Sequence, residues 1–268
     1  MNTISPIYGA LGGDLVGSIY EFNNLKSKIF KLVQPSCRFT DDSILTLATA
    51  QAILDAPHDY KAQYHRWGRK YPRAGYGGTF SRWLTLPLEE IGPYNSWGNG
   101  SAMRISPVGF AFETEADVLA QAEMSASVTH NHPEGVKGAQ ATALAIFLAR
   151  KGTDKDAIKA RIERNFGYNL STPLDEIRPT YRFDVSCQGT VPVAIRAFLE
   201  AGSYVDAIRN GISVGGDSDT IGAITGGISL AYFKKIPEDL VQEIEKRLRP
   251  DMRDICQRFA ERFGFADA

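Results

Sequence analysis

A long stretch of chain without charge constrains this fold more than any other feature. Residues 43–54, S-I-L-T-L-A-T-A-Q-A-I-L, are apolar or small almost all the way round a helix. A helix of that kind is stable only when other elements cover it, so the segment predicts a buried helix. The alternation typical of strands is scarce, and residues 181–185 are the best candidate for a strand.

Helical periodicity accounts for most of the remaining chain. Apolar residues at helical spacing predict a first helix that extends to residue 22, with the stripe Leu11, Leu15, Ile19 and Phe22. Further helices are predicted at residues 115–128, 136–151, 154–165, 191–200, 203–211, 220–234, 237–248 and 251–263. No repeat or long linker interrupts them. The prediction is an all-α fold, a compact orthogonal multi-helix bundle that forms one domain over residues 1–268.

Composition excludes several classes of protein. Of the 268 residues, 43% are hydrophobic and 23% are charged, so a folded core is expected rather than disorder. Thirty basic against 31 acidic residues give a net charge of −1, which makes nucleic acid an unlikely partner. The three cysteines form no C-x-x-C pair, which favours a cytoplasmic protein without disulfides. Neither a signal peptide nor a membrane span is expected.

Four glycine-rich segments stand beside predicted helices, at residues 9–14, 74–79, 96–101 and 214–220. Each predicts a loop that precedes or opens a helix. Backbone N–H groups in such a loop, with a helix N-terminus behind them, can face an anionic ligand. The same segments also fit tight turns that need positive φ angles, and the sequence leaves both interpretations open.

Two acidic segments carry the chemistry: F-T-D-D-S at 39–43 and G-D-S-D-T at 216–220. Capping by Thr40 or Ser218 explains one carboxylate at the start of each helix, but not two. Buried carboxylates need a partner or a cation. Carboxylate and hydroxyl oxygens without cysteine select Mg²⁺, Mn²⁺ or Ca²⁺ over zinc, and four aspartates favour a two-metal cluster.

The first predicted helix adds a further carboxylate to this picture. Asp14, Gly17 and Glu21 lie on one stripe of that helix, away from its apolar face. The stripe could present Glu21 to the same cluster, with Gly17 allowing close approach. In isolation, both acidic residues would be interpreted as surface charges.

With these residues in place, the chain resembles the ADP-ribosylglycohydrolases, the family that contains dinitrogenase-reductase-activating glycohydrolase and the vertebrate ADP-ribosyl-acceptor hydrolases. Six segments carry the resemblance, in the family's order: G-D-L-V-G-S-I-Y-E (13–21), F-T-D-D-S (39–43), Y-G-G-T-F (76–80), G-N-G-S-A-M-R (98–104), T-H-N-H-P-E (129–134) and G-G-D-S-D-T-I (215–221). Six such segments in register are highly specific. Ser43 replaces the threonine of many relatives and keeps its hydroxyl.

The resemblance implies an all-α hydrolase with two Mg²⁺ or Mn²⁺ ions at the base of a cleft. Its implied metal ligands are Thr40, Asp41, Asp42, Asp217, Asp219 and Thr220. Glu21 matches the family's essential glutamate, and Asp41 is expected to act with it in catalysis. Besides Glu21, the substrate-binding residues expected from the resemblance are Gly77, Gly78, Ser96, Trp97, Gly98, Asn99, Gly100, Ser101 and His130.

The implied reaction is hydrolysis of the N- or O-glycosidic bond between ADP-ribose and an acceptor, with ADP-ribose as product. The expected acceptor is arginine on a modified protein, while serine, small ADP-ribosyl conjugates and modified nucleic acid stay open. The metals would orient ribose hydroxyls and a water, and would keep Glu21 ionised as the acid–base partner. A monomer is expected, because no heptad seam or apolar stripe is left over.

Other classes of protein have weaker support in the sequence. The His58–Asp59 pair is typical of all-helical metal phosphohydrolases, but the further ligands of that class are missing. His130 and His132 could hold zinc, although nothing else stands at ligand spacing. Cys187 lacks a neighbouring histidine, so a thiol nucleophile is unsupported. A catalytically silent ADP-ribose-binding module would be expected to lose an acidic residue, and none is lost.

Overall fold

The computed structural model describes residues 4–55 and 58–265. These residues form fifteen helices and no strand, with two isolated β-bridges. The predicted all-α fold is confirmed. In chain order the helices are α1 Tyr8–Gly17, α2 Asp41–Leu54, α3 Tyr60–Lys70, α4 Gly78–Thr85, α5 Gly100–Met103, α6 Ser106–Ala111, α7 Glu115–Ser127, α8 Pro133–Arg150, α9 Lys155–Phe166, α10 Leu174–Ile177, α11 Cys187–Leu199, α12 Tyr204–Val214, α13 Ser218–Phe233, α14 Glu238–Arg247 and α15 Pro250–Phe263.

Two helices, α2 and α13, lie at the centre of the fold. As predicted from residues 43–54, α2 is buried everywhere except at its first and last residues. α13 is buried from Ser218 to Ala231 and packs against α1, α8, α11 and α12. Both acidic segments stand at the N-termini of these helices. Their carboxylates therefore lie largely inside the molecule, where water does not solvate them freely.

Helices α1 and α13 touch through their backbones. A Cβ on Gly9 would lie 2.5 Å from the carbonyl oxygen of Gly226, and one on Gly13 would overlap the carbonyl of Gly222. Residues 9–14 are therefore not the predicted anion-facing loop: they lie within α1, where glycine is needed for close helix packing. This contact brings Asp14 to the start of α13.

Helix α1 ends at Gly17 and does not reach residue 22 as predicted. The Ser18 hydroxyl donates to Leu15 O, and Tyr20 N donates to Gly17 O, so a turn replaces the next turn of helix. Phe22 is 84% exposed and is not part of the apolar stripe. Glu21 consequently lies on a bend and not on the α1 stripe that was predicted to carry it.

The eight helices predicted between residues 115 and 263 are all present, each within four residues of its predicted bounds. The strand predicted at residues 181–185 is not formed, and the isolated bridge between Gly98 and Ser186 lies just beyond the segment. The apolar pattern also predicts neither α3 nor α4. α3 buries an aromatic stripe, Tyr60, Tyr64 and Trp67, within a helix that is otherwise mostly polar.

The main hydrophobic core extends from Ile4 to Phe259 in the chain. A single domain over the whole chain stays a prediction. Across residues 4–55 and 58–265, no helix combines the length and the hydropathy needed to cross a membrane.

Candidate active site

The structure brings the two acidic segments together around one carboxylate. Oxygen atoms of Asp14, Asp42 and Asp219 lie within 4.8 Å of one another, and so do oxygen atoms of Glu21, Asp217 and Asp219. Asp219 belongs to both groups. The described residues thus contain two adjoining sets of oxygen ligands, and neither set includes histidine or cysteine.

The electrostatics of this cluster favour a cation. Burial, followed by the charge of Asp219, raises the pKa of Asp41, Asp42 and Asp217 well above the ordinary aspartate value. Oδ1 of Asp42 is buried and has no hydrogen-bond partner within the described part of the chain. Carboxylates in this state need neutralising charge, and an all-oxygen set fits a hard divalent cation. The residues present therefore fit the implied metal.

Asp14 holds the start of α2 in place by accepting hydrogen bonds from it. Its Oδ1 accepts a hydrogen bond from Thr40 Oγ1 at 2.7 Å, and its Oδ2 accepts from the backbone N–H of Thr40 at 2.9 Å and of Ser43 at 3.1 Å. The hydroxyl of Ser43 donates to the same oxygen. The sequence suggested no such role for Asp14, although the G-D pair in the resemblance was a usable signal. Complete burial, the charge of Asp219 and these donors together set its pKa at about 7.

Thr40 and Thr220 hold different positions among the implied ligands. Thr40 is the N-cap of α2, and its hydroxyl lies between Asp14 and Asp42, 3.2 Å from Asp42 Oδ2. It does not line the cavity described below, whereas Thr220 does. The capping interpretation is thus confirmed for Thr40, and its role as a metal ligand stays a prediction.

Glu21 lies at the edge of the cluster, partly exposed. Burial raises its pKa to about 7, Asp219 acts in the same sense, and Arg38 acts against them. Asn24 holds the bend in place: its Nδ2 donates to the carbonyls of Glu21 at 2.8 Å and Gly216 at 3.2 Å, and its Oδ1 accepts from Gly216 N at 2.7 Å. Asn24 ties Glu21 to the loop before α13, and no sequence signal pointed to it.

A cavity of about 610 Å³ opens above the carboxylates. Its lining includes most of the predicted site residues: Glu21, Asp41, Asp42, Gly77, Gly78, Ser96, Trp97, Gly98, Asn99, Gly100, His130, Asp217, Asp219 and Thr220. Ser101 is absent from the lining because its side chain is buried, with Oγ donating to Gly135 O at 2.7 Å. Ser101 therefore anchors residues 96–101, called the glycine loop below, through its buried side chain.

Several further hydrogen bonds fix the glycine loop to its surroundings. Asn99 N donates to Val185 O at 2.7 Å, and Cys187 N donates to Trp97 O at 3.0 Å. The Asn99 side chain donates to Asp217 Oδ2 at 2.7 Å, which joins the loop directly to the acidic cluster. The extended segment 181–185, predicted as a strand, thus serves as a wall of the site.

His130 lies under this loop as a neutral base. Burial, with the nearby charge of Arg104, lowers the pKa of His130 well below the ordinary histidine value. A Cβ on Gly100 would lie 3.0 Å from His130 Nε2, so glycine allows the loop to cover the ring closely. Arg104 is fully buried over the ring of Tyr64, with Nη2 donating to Thr129 Oγ1 at 2.9 Å.

Two aromatic residues that were not predicted stand at the mouth of the cavity. The rings of Phe22 and Phe183 stack at a centroid distance of 6.0 Å and an angle of 25°. Phe22 is 84% exposed and Phe183 48% exposed, although both line the cavity. Exposed aromatic rings at a cavity mouth offer apolar contact area to a ligand.

The alternative sites do not assemble in the described residues. His132 caps α8, with Nδ1 accepting from Glu134 N at 3.1 Å, so it does not join His130 in a zinc site. Asp59 caps α3, accepting from Ala62 N at 2.9 Å. Burial raises the pKa of the Cys187 thiol to about 12, which is wrong for a nucleophile.

The family comparison agrees with this geometry. The sequence model of the family described as ADP-ribosylglycohydrolase matches residues 5–267. The chain is therefore a glycosidase acting on ADP-ribosyl bonds, as predicted. This chain belongs to the ADP-ribosylglycohydrolase family.

Curated relatives and a solved structure show how far the similarity extends. Human ADP-ribosylhydrolase ARH3 is 28% identical, over 88% of this chain and 87% of its own. The ADP-ribosylarginine hydrolase Tri1 of Pseudomonas putida (strain GB-1) is 24% identical, over 89% of this chain and 72% of its own. A solved structure titled "ADP-ribosylglycohydrolase-related protein complex" has a TM-score of 0.72 at 24% identity and covers 96% of both chains, which shows a shared fold.

Proposed function

We propose that this chain hydrolyses the bond between ADP-ribose and a modified arginine side chain, with Mg²⁺ as the cation. The observation that carries the proposal is the meeting of Glu21, Asp217 and Asp219 at the floor of a cavity walled by the glycine loop. Arginine is the proposed acceptor, since one relative is named an ADP-ribosylarginine hydrolase. Family membership supports the reaction class.

The proposed metal ligands are the residues at the starts of α2 and α13: Thr40, Asp41, Asp42, Asp217, Asp219 and Thr220. Two Mg²⁺ ions suit this number of carboxylates, and Mn²⁺ has the same ligand preference. When bound, the cations would supply positive charge beside the ribose of the substrate. Asp14 and Asn99 would orient the ligand groups, because each makes hydrogen bonds to a segment that supplies them.

The glycine loop, together with residues 77–78, would bind the diphosphate of the substrate. Gly77, Gly78, Gly98 and Gly100 line the cavity and have no side chains to block close approach to their backbone N–H groups. Neutral His130 adds no charge beneath the loop. Trp97, 48% exposed, offers an aromatic face to the adenine.

Glu21 would act as the general base of the reaction. Its carboxylate accepts a proton from the attacking water, whose oxygen forms the new bond to ribose C1″. The bond from C1″ to the acceptor breaks, and the acceptor leaves with the electron pair and takes up the proton that Glu21 received from the water. Burial, with the charge of Asp219 in second place, raises the pKa of Glu21 to about 7, and a nearby dication would lower it again. Asp41, at the start of α2, would assist from the cavity floor.

The proposal is tested with a panel of substrates. ADP-ribosyl-arginine, ADP-ribosyl-serine and poly(ADP-ribose) are each incubated with the wild type in Mg²⁺ and in EDTA, and free ADP-ribose is measured. Release from ADP-ribosyl-arginine is expected in Mg²⁺ and not in EDTA. Glu21→Gln should lower kcat about 10²–10⁴-fold. The control Glu89→Gln changes an exposed glutamate outside the cavity and should retain activity.

Each result has a distinct meaning. Cleavage that resists EDTA, or full activity in Glu21→Gln, would refute the mechanism. Release from ADP-ribosyl-serine alone would replace the acceptor and leave the mechanism intact.

A further inference from the structure

A second cavity, of about 530 Å³, lies among the segment before α2, the end of α3 and the junction of α14 with α15. We name it the basic cavity for its five positively charged lining residues, Arg38, Lys70, Arg73, Arg247 and Arg249. No lining residue is acidic. Such a local excess of positive charge stands out in a chain whose net charge is −1.

Among the described residues, two of these five cations form ion pairs with acidic side chains and three do not. Lys70 pairs with Asp251, and Arg247 pairs with Glu243 at 2.6 Å. Within residues 4–55 and 58–265, the guanidinium groups of Arg38, Arg73 and Arg249 make no ion pair. Unpaired guanidinium groups that share one cavity raise the local potential there and favour an anion.

Several contacts hold the wall beneath these cations in place. The Tyr71 hydroxyl donates to Asp251 at 2.7 Å, and its ring stacks on Trp67 at 5.6 Å. Arg249 lies over the Tyr71 ring at 5.2 Å. An aromatic wall with a guanidinium held on it forms a defined binding surface, unlike scattered surface charges.

The basic cavity adjoins the candidate active site. Arg38 and Phe39 line it, and the next residues along the chain begin the acidic segment of α2. Ala74 also lines it, while a Cβ on Gly75 would lie 3.4 Å from Asp41 Oδ1. In both segments, only a few residues along the chain therefore separate the lining of the basic cavity from the carboxylates or their neighbours.

We propose that the basic cavity is a second ligand site, which binds a phosphate-bearing group beside the active site. A guanidinium binds phosphate with two parallel hydrogen bonds, and a phosphate has enough oxygens to accept from several such groups. A single carboxylate carries one negative charge and would leave two of the three guanidinium charges unneutralised. Combined with the proposed function, on which this consequence rests, the site would favour acceptors that carry phosphate near the attachment point.

Calorimetric titration with inorganic pyrophosphate tests the site directly. The buffer contains EDTA, because Mg²⁺ would bind the probe. Arg73→Glu and Arg249→Glu should each weaken pyrophosphate binding about tenfold or more, since each removes charge-assisted hydrogen bonds. The matched control Arg66→Glu makes the same charge change at an exposed position of α3 outside both cavities and should bind like the wild type.

Arg73→Gln and Arg249→Gln separate the lost contacts from the added negative charge and should also weaken binding. Trp97→Ala should leave it unchanged. The proposal is overturned if Arg66→Glu loses as much affinity as Arg73→Glu, if the Trp97→Ala variant alone loses it, or if a triglutamate peptide binds as tightly as pyrophosphate. Cleavage of ADP-ribosyl-arginine by Arg73→Glu should match that of the wild type. A wild type without this hydrolysis would refute the proposed function and leave the pyrophosphate result standing.

Discussion

The two helix starts that form the acidic cluster are held in different ways. The start of α2 is held by a side chain: Asp14 accepts backbone and hydroxyl hydrogen bonds from Thr40 and Ser43. The start of α13 has no side-chain cap on its N-cap residue, Asp217. Asn24 and Asn99 make hydrogen bonds to Gly216 and Asp217 there. The helix itself is positioned by backbone packing against α1, since a Cβ on Gly17 would overlap the carbonyl of Ser218.

The two kinds of contact control different features of the geometry. Hydrogen bonds to a buried carboxylate fix the orientation of individual donors, so their loss should be felt locally at α2. Glycine contacts fix the distance between two helix backbones, and any added atom must move a whole helix. Substitutions at the α13 contact should therefore damage the fold, whereas substitutions at the α2 contact should damage ligand geometry.

The largest expected effect is that of Gly13→Val. The new Cβ would overlap the Gly222 carbonyl, which belongs to backbone and cannot rotate away. We expect a loss of about 3 kcal/mol or more in the free energy of unfolding, measured by urea denaturation. Gly202→Ala is the control, because a Cβ there meets nothing within 4 Å. Equal stability of Gly13→Val and Gly202→Ala would show that α1 and α13 do not touch as described.

Asp14→Asn is expected to have a smaller and more local effect. The amide keeps the shape of the side chain but turns an NH₂ group toward donors at Thr40 or Ser43. Affinity for Mg²⁺, measured by calorimetry, should fall about 10–100-fold, as for other residues that orient metal ligands. Asn24→Ala, on the α13 side, should lower kcat through Glu21 and change Mg²⁺ affinity less. A larger loss of Mg²⁺ affinity in Asn24→Ala than in Asp14→Asn would reverse the comparison.

The sequence predicts the α13 region well in one respect and poorly in another. The helix itself follows from its continuous apolar pattern, predicted at residues 220–234 and present as Ser218–Phe233. Its contact with α1 does not follow, because Gly9 and Gly13 suggest a loop when only one chain segment is considered. Their role in helix packing depends on Gly222 and Gly226, more than 200 residues away along the chain.

The candidate site shows the same limit. The resemblance predicts most of the residues that line the cavity, since local motifs carry them. Asn24 and Phe183 belong to no motif, and their positions depend on where α1 ends and how residues 181–185 lie against the glycine loop. The basic cavity combines residues near 38, 70 and 249, and each of these segments alone is indistinguishable from an ordinary charged surface.

The buried carboxylates at both helix starts should make the stability of the fold depend on pH. Burial raises the pKa of Asp14 from 3.8 to about 7 and that of Glu21 from 4.5 to about 7, and it also raises those of Asp42 and Asp217. Between pH 4 and 7, roughly, the folded protein therefore holds protons that the unfolded chain has released, so its free energy of unfolding falls as pH rises through that window. In EDTA, we expect Tm from circular dichroism to fall by about 3 °C or more between pH 5 and pH 8.

Mg²⁺ should act in the opposite direction, and more strongly at pH 8, because it binds the ionised carboxylates that repel one another there. Asp14→Asn removes one of the raised groups and should flatten the dependence of Tm on pH in EDTA. If Tm in EDTA instead rises from pH 5 to pH 8, or if Mg²⁺ stabilises the protein equally at both values, the two helix starts do not form one buried acidic cluster. An unchanged pH dependence in Asp14→Asn would place the titrating carboxylates on the α13 side alone.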